Sequence, residues 1–304
     1  MSPDEARSWE HSHAFGTGEP SFGESRTRWV TALTFVMMVV EIVAGVGYRS
    51  MALLADGWHM ATHVVALGVA AFAYAYARRH AADPRFSFGT GKVGALGGFA
   101  SAVGLALAAV LILGESVIRL GSPRAISFDQ AIVVATVGLL VNLASAILLR
   151  SEHHHDEPGA AHRHHDHNLR GAYLHVVADA LTSVLAIVAL LAGKLLGTTW
   201  LDPAMGIVGS LVIARWSYGL LRDTSGVLLD AEVSAERRAL LKAAVEVDGH
   251  ARVVDLHLWR VGPEHLAALI AVVSPAPREP GHYKALLAPF GDLAHVTVEV
   301  HRGV

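Results

Sequence analysis

Apolar residues in this chain fall in long, nearly uninterrupted runs, unlike the stripes of a soluble helix or the alternation of a half-buried strand. The runs extend from about Trp29 to Tyr48, Met51 to Ala77, Val93 to Leu120, Phe128 to Leu149, Leu169 to Leu196 and Trp200 to Leu221. Each approaches or exceeds the roughly 20 residues that take a helix across a bilayer, so the pattern predicts six transmembrane helices. After Arg222 the pattern changes: charge becomes frequent, Pro and Gly return, and apolar residues alternate. Ser234 to Val247 has helical spacing, with Ser234 as a cap and Arg237 and Arg238 exposed. Ala251 to Val261 alternates, with Val254, Leu256 and Leu258 on one side and Asp255, His257 and Trp259 on the other. Glu264 to Ser274 reads as a second, more buried strand, reached through the turn signal Gly262-Pro263. Pro280 to Phe290 reads as a helix and Ala294 to Arg302 as a third strand. The expected fold is an all-α polytopic membrane domain of six transmembrane helices followed by a small α+β sandwich.

Composition agrees with that division. Of 304 residues 53% are hydrophobic and only 17% charged, and the mean hydropathy of +0.42 lies outside the usual soluble range. The formal net charge of −3 gives no electrostatic reason to expect a nucleic-acid partner. Cysteine is absent, which removes disulfides, thiolate ligands and cysteine nucleophiles. Arg26, Arg28, Arg78, Arg79, Arg85, Lys92, Arg150, Arg163 and Arg170 flank the spans on one side, against Arg49, Arg119, Arg124 and Lys194 on the other. By the positive-inside rule both termini and the tail are cytoplasmic. The expected organisation is an N-terminal cytoplasmic tail over residues 1–25, a transport domain over 26–222 and a cytoplasmic domain over 223–304. The acidic, polar N-terminus does not read as a cleaved signal peptide, and with the short loops this favours an inner (plasma) membrane.

The candidate chemistry lies inside two of the spans. His59 and His63 are four residues apart in the second, and His175 and Asp179 four apart in the fifth; that spacing puts each pair one turn apart on one helix face. Ionisable groups in hydrocarbon are costly, so two such pairs at matching depth most simply face each other across a divalent metal ion. Three imidazole nitrogens and a carboxylate oxygen make a tetrahedral shell suited to zinc and tolerable for cobalt or nickel, whereas calcium and magnesium prefer oxygen cages. Asp56 shares the stripe and either orients an imidazole or ligates at some stage. Glu41 and Glu115 read as water-exposed near the extracytoplasmic helix ends or as proton-linked, and Asp202 as a helix-start carboxylate. A zinc protease would need Glu directly after His59, and Met60 stands there. No catalytic residue, catalytic cofactor or enzyme activity is expected.

Between the fourth and fifth spans Ser151 to His167 holds His153, His154, His155, His162, His164, His165 and His167 among acidic residues. Such a tract lacks the apolar residues for a core and suits weak, exchanging metal capture. In the tail's last strand His295, Thr297, Glu299 and His301 share one side. Asp255 and His257 occupy the polar side of the first strand. If those polar sides approach each other or a partner subunit, His257, His295 and Glu299, with Asp255, form a regulatory metal site; otherwise they are an ordinary solvated sheet face. His265 and His301 are weaker candidates, and His250 and His282 read as surface residues.

At these residues the chain resembles the cation diffusion facilitator family, from about Arg26 to the C-terminus. The resemblance rests on Ser50-Met51-Ala52-Leu53-Leu54-Ala55-Asp56 running into His59-x-x-x-His63, on His175-x-x-x-Asp179-Ala180, and on Asp255-Leu256-His257-Leu258-Trp259. It implies a homodimeric divalent-metal/proton antiporter with a ferredoxin-like tail. His63 stands where zinc members usually carry Asp, which resembles the branch linked to cobalt and nickel as well as zinc. The expected cargo is zinc or cobalt, exchanged for protons because both compete for the same lone pairs. A membrane-anchored metal sensor or scaffold without transport is the rival reading.

Overall fold

A computed structural model describes residues 24–80, 83–150, 165–231, 233–247, 249–263 and 265–303, with the side chains of 24–31, 63, 66, 67, 70, 74, 146–150 and 165–179 outside the described set. Among the described residues six long helices occupy the predicted runs: α1 (Glu24–Gly47), α2 (Met51–Arg79), α3 (Val93–Gly121), α4 (Phe128–Arg150), α5 (His165–Leu196) and α6 (Leu201–Leu228). Val93–Gly121, Phe128–Ser145 and Leu201–Leu228 are long and apolar enough to cross a membrane, and Ala32–Gly47 and Ala180–Leu196 are shorter apolar stretches. The chain then forms α7 (Ala235–Val245), β1 (Arg252–Arg260), β2 (Leu266–Ser274), α8 (Pro280–Leu287) and β3 (Leu293–Arg302).

The chain divides into two compact units, and the divisions fall within α2, α3 and α6. One takes in Glu19–Gly68 and Ala100–Leu220. Its α3 shows how an apolar helix sorts its residues without a polar face. Ala102, Leu105, Ala109, Ile112 and Ser116 turn inward, while Val103, Leu107, Val110, Leu111, Val117 and Ile118 stay exposed. Three of the five inward residues are small, which lets helices approach closely, while the outward ones are all bulky aliphatics, as a lipid solvent favours. Gly45 and Gly57 let α1 and α2 approach closely: a Cβ at Gly45 would lie 2.8 Å from the Leu54 backbone, and one at Gly57 2.9 Å from Ile42. Lys194 of α5 pairs with Asp129 of α4.

The other unit contains Val69–Phe99 and Leu221–Val304. Its sheet has the order β1-β2-β3, with β1 and β2 antiparallel and β2 and β3 parallel. The parallel pair is joined through α8, as a crossover requires. Leu241 and Val245 of α7 and Tyr283 and Leu287 of α8 close one face over Leu256, Leu258, Leu266, Ile270 and Val298. Ser234 caps α7, accepting from the Arg237 N–H at 3.0 Å. Three expectations need correction. A register shift between Val253 and Asp255 carries Val253 into the core and leaves Val254 58% exposed, because one unpaired residue in a strand reverses the alternation before it. Arg237 is half-buried, paired with Asp292 and stacked 4.9 Å over the Phe290 ring. α5 starts at His165, so His165 and His167 belong to a helix rather than a loop. His153, His154, His155, His162 and His164 lie outside the described residues.

The loop between α2 and α3 packs within this second unit. Phe88 sets its edge against Trp259 at 5.9 Å and His295 at 5.4 Å between ring centroids. Lys92 pairs with Asp230. Gly91 lies so close to the Val261 carbonyl that a side chain there would clash. Arg85 donates to both Asp83 oxygens, at 3.0 and 2.7 Å, and holds that carboxyl well below the usual range, at about 2.

Candidate metal centre in the helical unit

Helix α2 begins on a clamp. Its first N–H groups have no partner inside the helix, and the Asp202 carboxylate from the first turn of α6 supplies one. Asp202 accepts from Ser50 Oγ at 2.6 Å, from Met51 N at 2.8 Å and from Ala52 N at 3.2 Å. Ser50 Oγ in turn accepts from Leu53 N at 3.1 Å. Asp202 was expected to serve its own helix start; it also caps a helix that begins 151 residues earlier.

From that clamp α6 runs against α2 along a face of small residues. Gly206 abuts Met51, and a Cβ at Gly209 would come within 2.7 Å of Ala55 Cβ. Farther along, Trp216 sets its ring 5.3 Å from His59, tilted 57°. His59 is 5% exposed, and so is Asp56. Asp56 and His59 therefore point into the protein. Ser183 of α5 donates to Asp56 Oδ2 at 2.9 Å.

His63 lies one turn beyond His59 on α2, and His175 and Asp179 lie on α5; their side chains are outside the described set. Residues 175, 179 and 183 follow one another at four-residue steps, so they fall on one stripe of α5 by helical period. Among the described residues no three His, Asp or Glu groups stand close enough to hold an ion. Ser183 and Trp216 were missed from sequence. Extending the His175–Asp179 spacing by one step would have reached Ser183, whereas nothing local marks Trp216.

The remaining acidic groups part company. Glu115 accepts from Arg119 at 2.9 Å and pairs with Arg124 at 3.1 Å, an ordinary ion-pair cluster. Glu41 is fully buried, not water-exposed.

The tail residues pair along strands, not across the sheet. His257 Nε2 lies 3.0 Å from Asp255 Oδ2, His301 Nε2 3.1 Å from Glu299 Oε1, and His295 Nε2 3.3 Å from Thr297 Oγ1. Because β2 lies between β1 and β3, His257 is two strand spacings, roughly 9–10 Å, from β3. A bound zinc keeps its ligands at about 2 Å. Among the described residues His257, His295 and Glu299 each bond to a neighbour on their own strand and are not gathered into one cluster. His250 and His282, expected as surface residues, line with Arg278, Ser274 and Tyr283 a surface cavity of ≈ 400 Å³.

A family model described as the cation efflux transmembrane domain matches residues 28–229. Among curated proteins the chain is similar to the zinc transporter ZitB of Yersinia pestis, with 32% identity over 88% of this chain and 85% of the relative. It is also similar to the cation efflux system protein CzcD of Alcaligenes sp. (strain CT14), with 30% identity over 95% of this chain and 89% of the relative. A cadmium, cobalt and zinc/H(+)-K(+) antiporter of Bacillus velezensis is 27% identical over 83% of this chain and 76% of its own length. The apolar helices, the buried His59 and Asp56 and these matches lead to one conclusion: the chain belongs to the cation efflux family, the cation diffusion facilitators.

Proposed function

We propose that this protein is a divalent transition-metal cation/proton antiporter that exports zinc or cobalt from the cytoplasm, with nickel and cadmium as further candidate cargo. The observation that carries the reading is an imidazole and a carboxylate, His59 and Asp56, buried on one stripe of an apolar helix in a chain of this family. Such groups are costly inside a membrane unless they serve a pathway. In this reading His59, His63, His175 and Asp179 form the transport site. Ser183 supports it, because its bond to Asp56 turns that stripe of α5 toward α2 at the next turn along. Asp56 then serves as an outer carboxylate held in place by Ser183, of the kind that orients a ligating imidazole.

The chemistry of exchange follows from the ligands. Imidazole and carboxylate must be free of protons to ligate, so metal and protons compete for one set of lone pairs. Cytoplasmic metal enters and sheds water to the four groups; protons arriving from outside displace it. A proton gradient directed inward thereby drives metal outward, with alternate exposure supplied by helix rocking.

The wider organisation we propose is six spans over residues 26–222 with both termini in the cytoplasm of a bacterial inner membrane, a His-rich cytoplasmic segment over 151–167, and a ferredoxin-like domain over 223–304. The helix-strand-strand-helix-strand order of the tail supports the last point. A homodimer is the assembly in which the polar sheet faces of two tails are able to share an ion between His257 of one and His295 and Glu299 of the other.

The test is flux in proteoliposomes with metal and internal pH followed together. Metal movement without opposed proton movement would refute antiport. His175→Ala is expected to abolish flux, while a sensor acting through its tail would be unaffected by it. Competition among zinc, cobalt, nickel, cadmium and manganese, repeated for His63→Asp, reads out the cargo and the selectivity position together.

A further inference from the structure

We propose that Glu41 of α1 is a proton carrier of the exchange cycle, a group that keeps a proton while the site is empty and gives it up when the cation arrives. The inference rests on the antiport reading above and adds a residue outside its ligand set.

Glu41 is 0% exposed. Among the described residues neither carboxyl oxygen has a hydrogen-bond partner. Its carboxyl group fills the space that Gly138 of α4 leaves by having no side chain, with the Met37 methyl alongside. On the other flank the Glu41 Cβ packs against Gly57 of α2, 3.1 Å from where a Cβ there would stand. Gly57 directly follows Asp56 in the chain. The sequence has therefore cleared room on both neighbouring helices for a carboxyl group and, among the described residues, given it nothing to bond.

A buried structural carboxylate is normally paired or hydrogen-bonded, and an unpaired one in an apolar surround is too costly to stay ionised. Glu41 thus carries its proton in this conformation. A merely space-filling role would be served better by Met or Leu, which brings no desolvation cost. The titratable groups within one turn of the Gly57 contact on α2 are Asp56 and His59, and α4 carries Asp129, which is paired with Lys194. None of these is a described cation that would hold Glu41 ionised while the site is empty. A dication bound beside Asp56 supplies the missing positive charge. The Glu41 O–H bond then breaks, its electron pair stays on the carboxylate, and the proton passes to water; release of the metal reverses the step. The coupling is electrostatic, so Glu41 need not touch the metal.

The experiment uses the full chain in detergent or nanodiscs, zinc as the probe, and proton release measured with an indicator in weakly buffered solution near neutral pH. For Glu41→Gln, which keeps shape and removes the titration, about one proton fewer is expected per zinc bound, with zinc still binding. Glu41→Asp is expected to restore the wild-type count, which a purely structural role would not produce. If Glu41→Gln does not fold, Glu41→Met tests the same loss of titration in a residue of similar length. Equal proton release from wild type and the uncharged variant would overturn the proposal. So would complete loss of zinc binding in a folded Glu41→Gln, since Glu41 would then be part of the metal site itself. Antiport fails separately: wild-type vesicles moving zinc without opposed protons would sink that reading while the binding measurement still reports on Glu41.

Discussion

Replacing Asp202 by Ala tests whether the start of α2 depends on a carboxylate from another helix. The side chain is 1% exposed and accepts three bonds, at 2.6, 2.8 and 3.2 Å. Two of them come from backbone N–H groups of Met51 and Ala52, which no helical carbonyl is placed to serve. Each buried N–H left without a partner costs about 1–3 kcal/mol, so the pair accounts for roughly 2–6 kcal/mol. Ser50 Oγ loses a partner too but still accepts from Leu53 N, which limits its share. Withdrawing a negative charge from a helix N-terminus adds about 1 kcal/mol. Allowing for relaxation and water entry, Asp202→Ala should destabilise by roughly 3–5 kcal/mol, a range reached only by a few named mechanisms. Asp202→Asn should fall between, because the amide keeps one acceptor and turns a donor toward donors. The assay is thermal or denaturant unfolding of the purified protein in a fixed detergent, with Ser50→Ala as the smaller companion at about 1 kcal/mol. A loss below about 0.5 kcal/mol for Asp202→Ala, the range of an ordinary surface substitution, would refute the clamp.

Gly209→Val should cost about 1–3 kcal/mol by driving α6 away from Ala55, while Gly219→Ala, with open space around it, should be neutral or slightly stabilising in the same unfolding assay. Ser183→Ala should lower metal affinity by roughly 10–100-fold, the usual effect of losing a group that orients a ligand, as read by zinc titration; Ser217→Ala, whose hydroxyl has no partner among the described residues, serves as the control that should leave affinity unchanged. The Asp83 carboxyl sits at about 2 in the folded chain, below its unfolded value, so its turn is fully favoured at neutral pH and is lost only as pH falls through that value; carboxyl NMR of this residue should show no titration between neutral pH and about pH 4.

The helices were legible because each needs only its own run of apolar residues to declare itself, and the tail because its period changes from 3.6 to 2 where strands begin. His59 and Asp56 were legible for a related reason: a charge in hydrocarbon is conspicuous whatever surrounds it. What sequence did not reveal depends on partners far along the chain. Asp202 looks like any acid in a first turn until Ser50 and Met51 are brought against it. Glu41 and Glu115 are indistinguishable as isolated acids in apolar runs, and Arg119 and Arg124 against Gly138 and Met37 decide which is paired and which is not. The inversion of Val253 and Val254 came from a single unpaired residue, which a strict two-residue alternation has no means of expressing.

The α2 contacts also determine which half of the proposed site is able to change. Three hydrogen bonds accepted by Asp202, close glycine contacts at 206 and 209, and the Trp216 ring on His59 bind α2 to α6 from its first residue to His59. Separating that pair would expose buried N–H groups and open a gap along a packed surface, each costing several kcal/mol. Among the described residues the tie to α5 consists of the Ser183 bond to Asp56, worth about 1.5–3 kcal/mol as a bond to a charged group, and apolar packing around Leu53 and Leu190, which tolerates sliding because it has no direction. A cation held between α2 and α5 adds its own attraction to that tie, and protons on the ligands remove it. In the proposed site metal and protons would act at the α2–α5 interface, and α2 with α6 would provide the wall against which α5 moves.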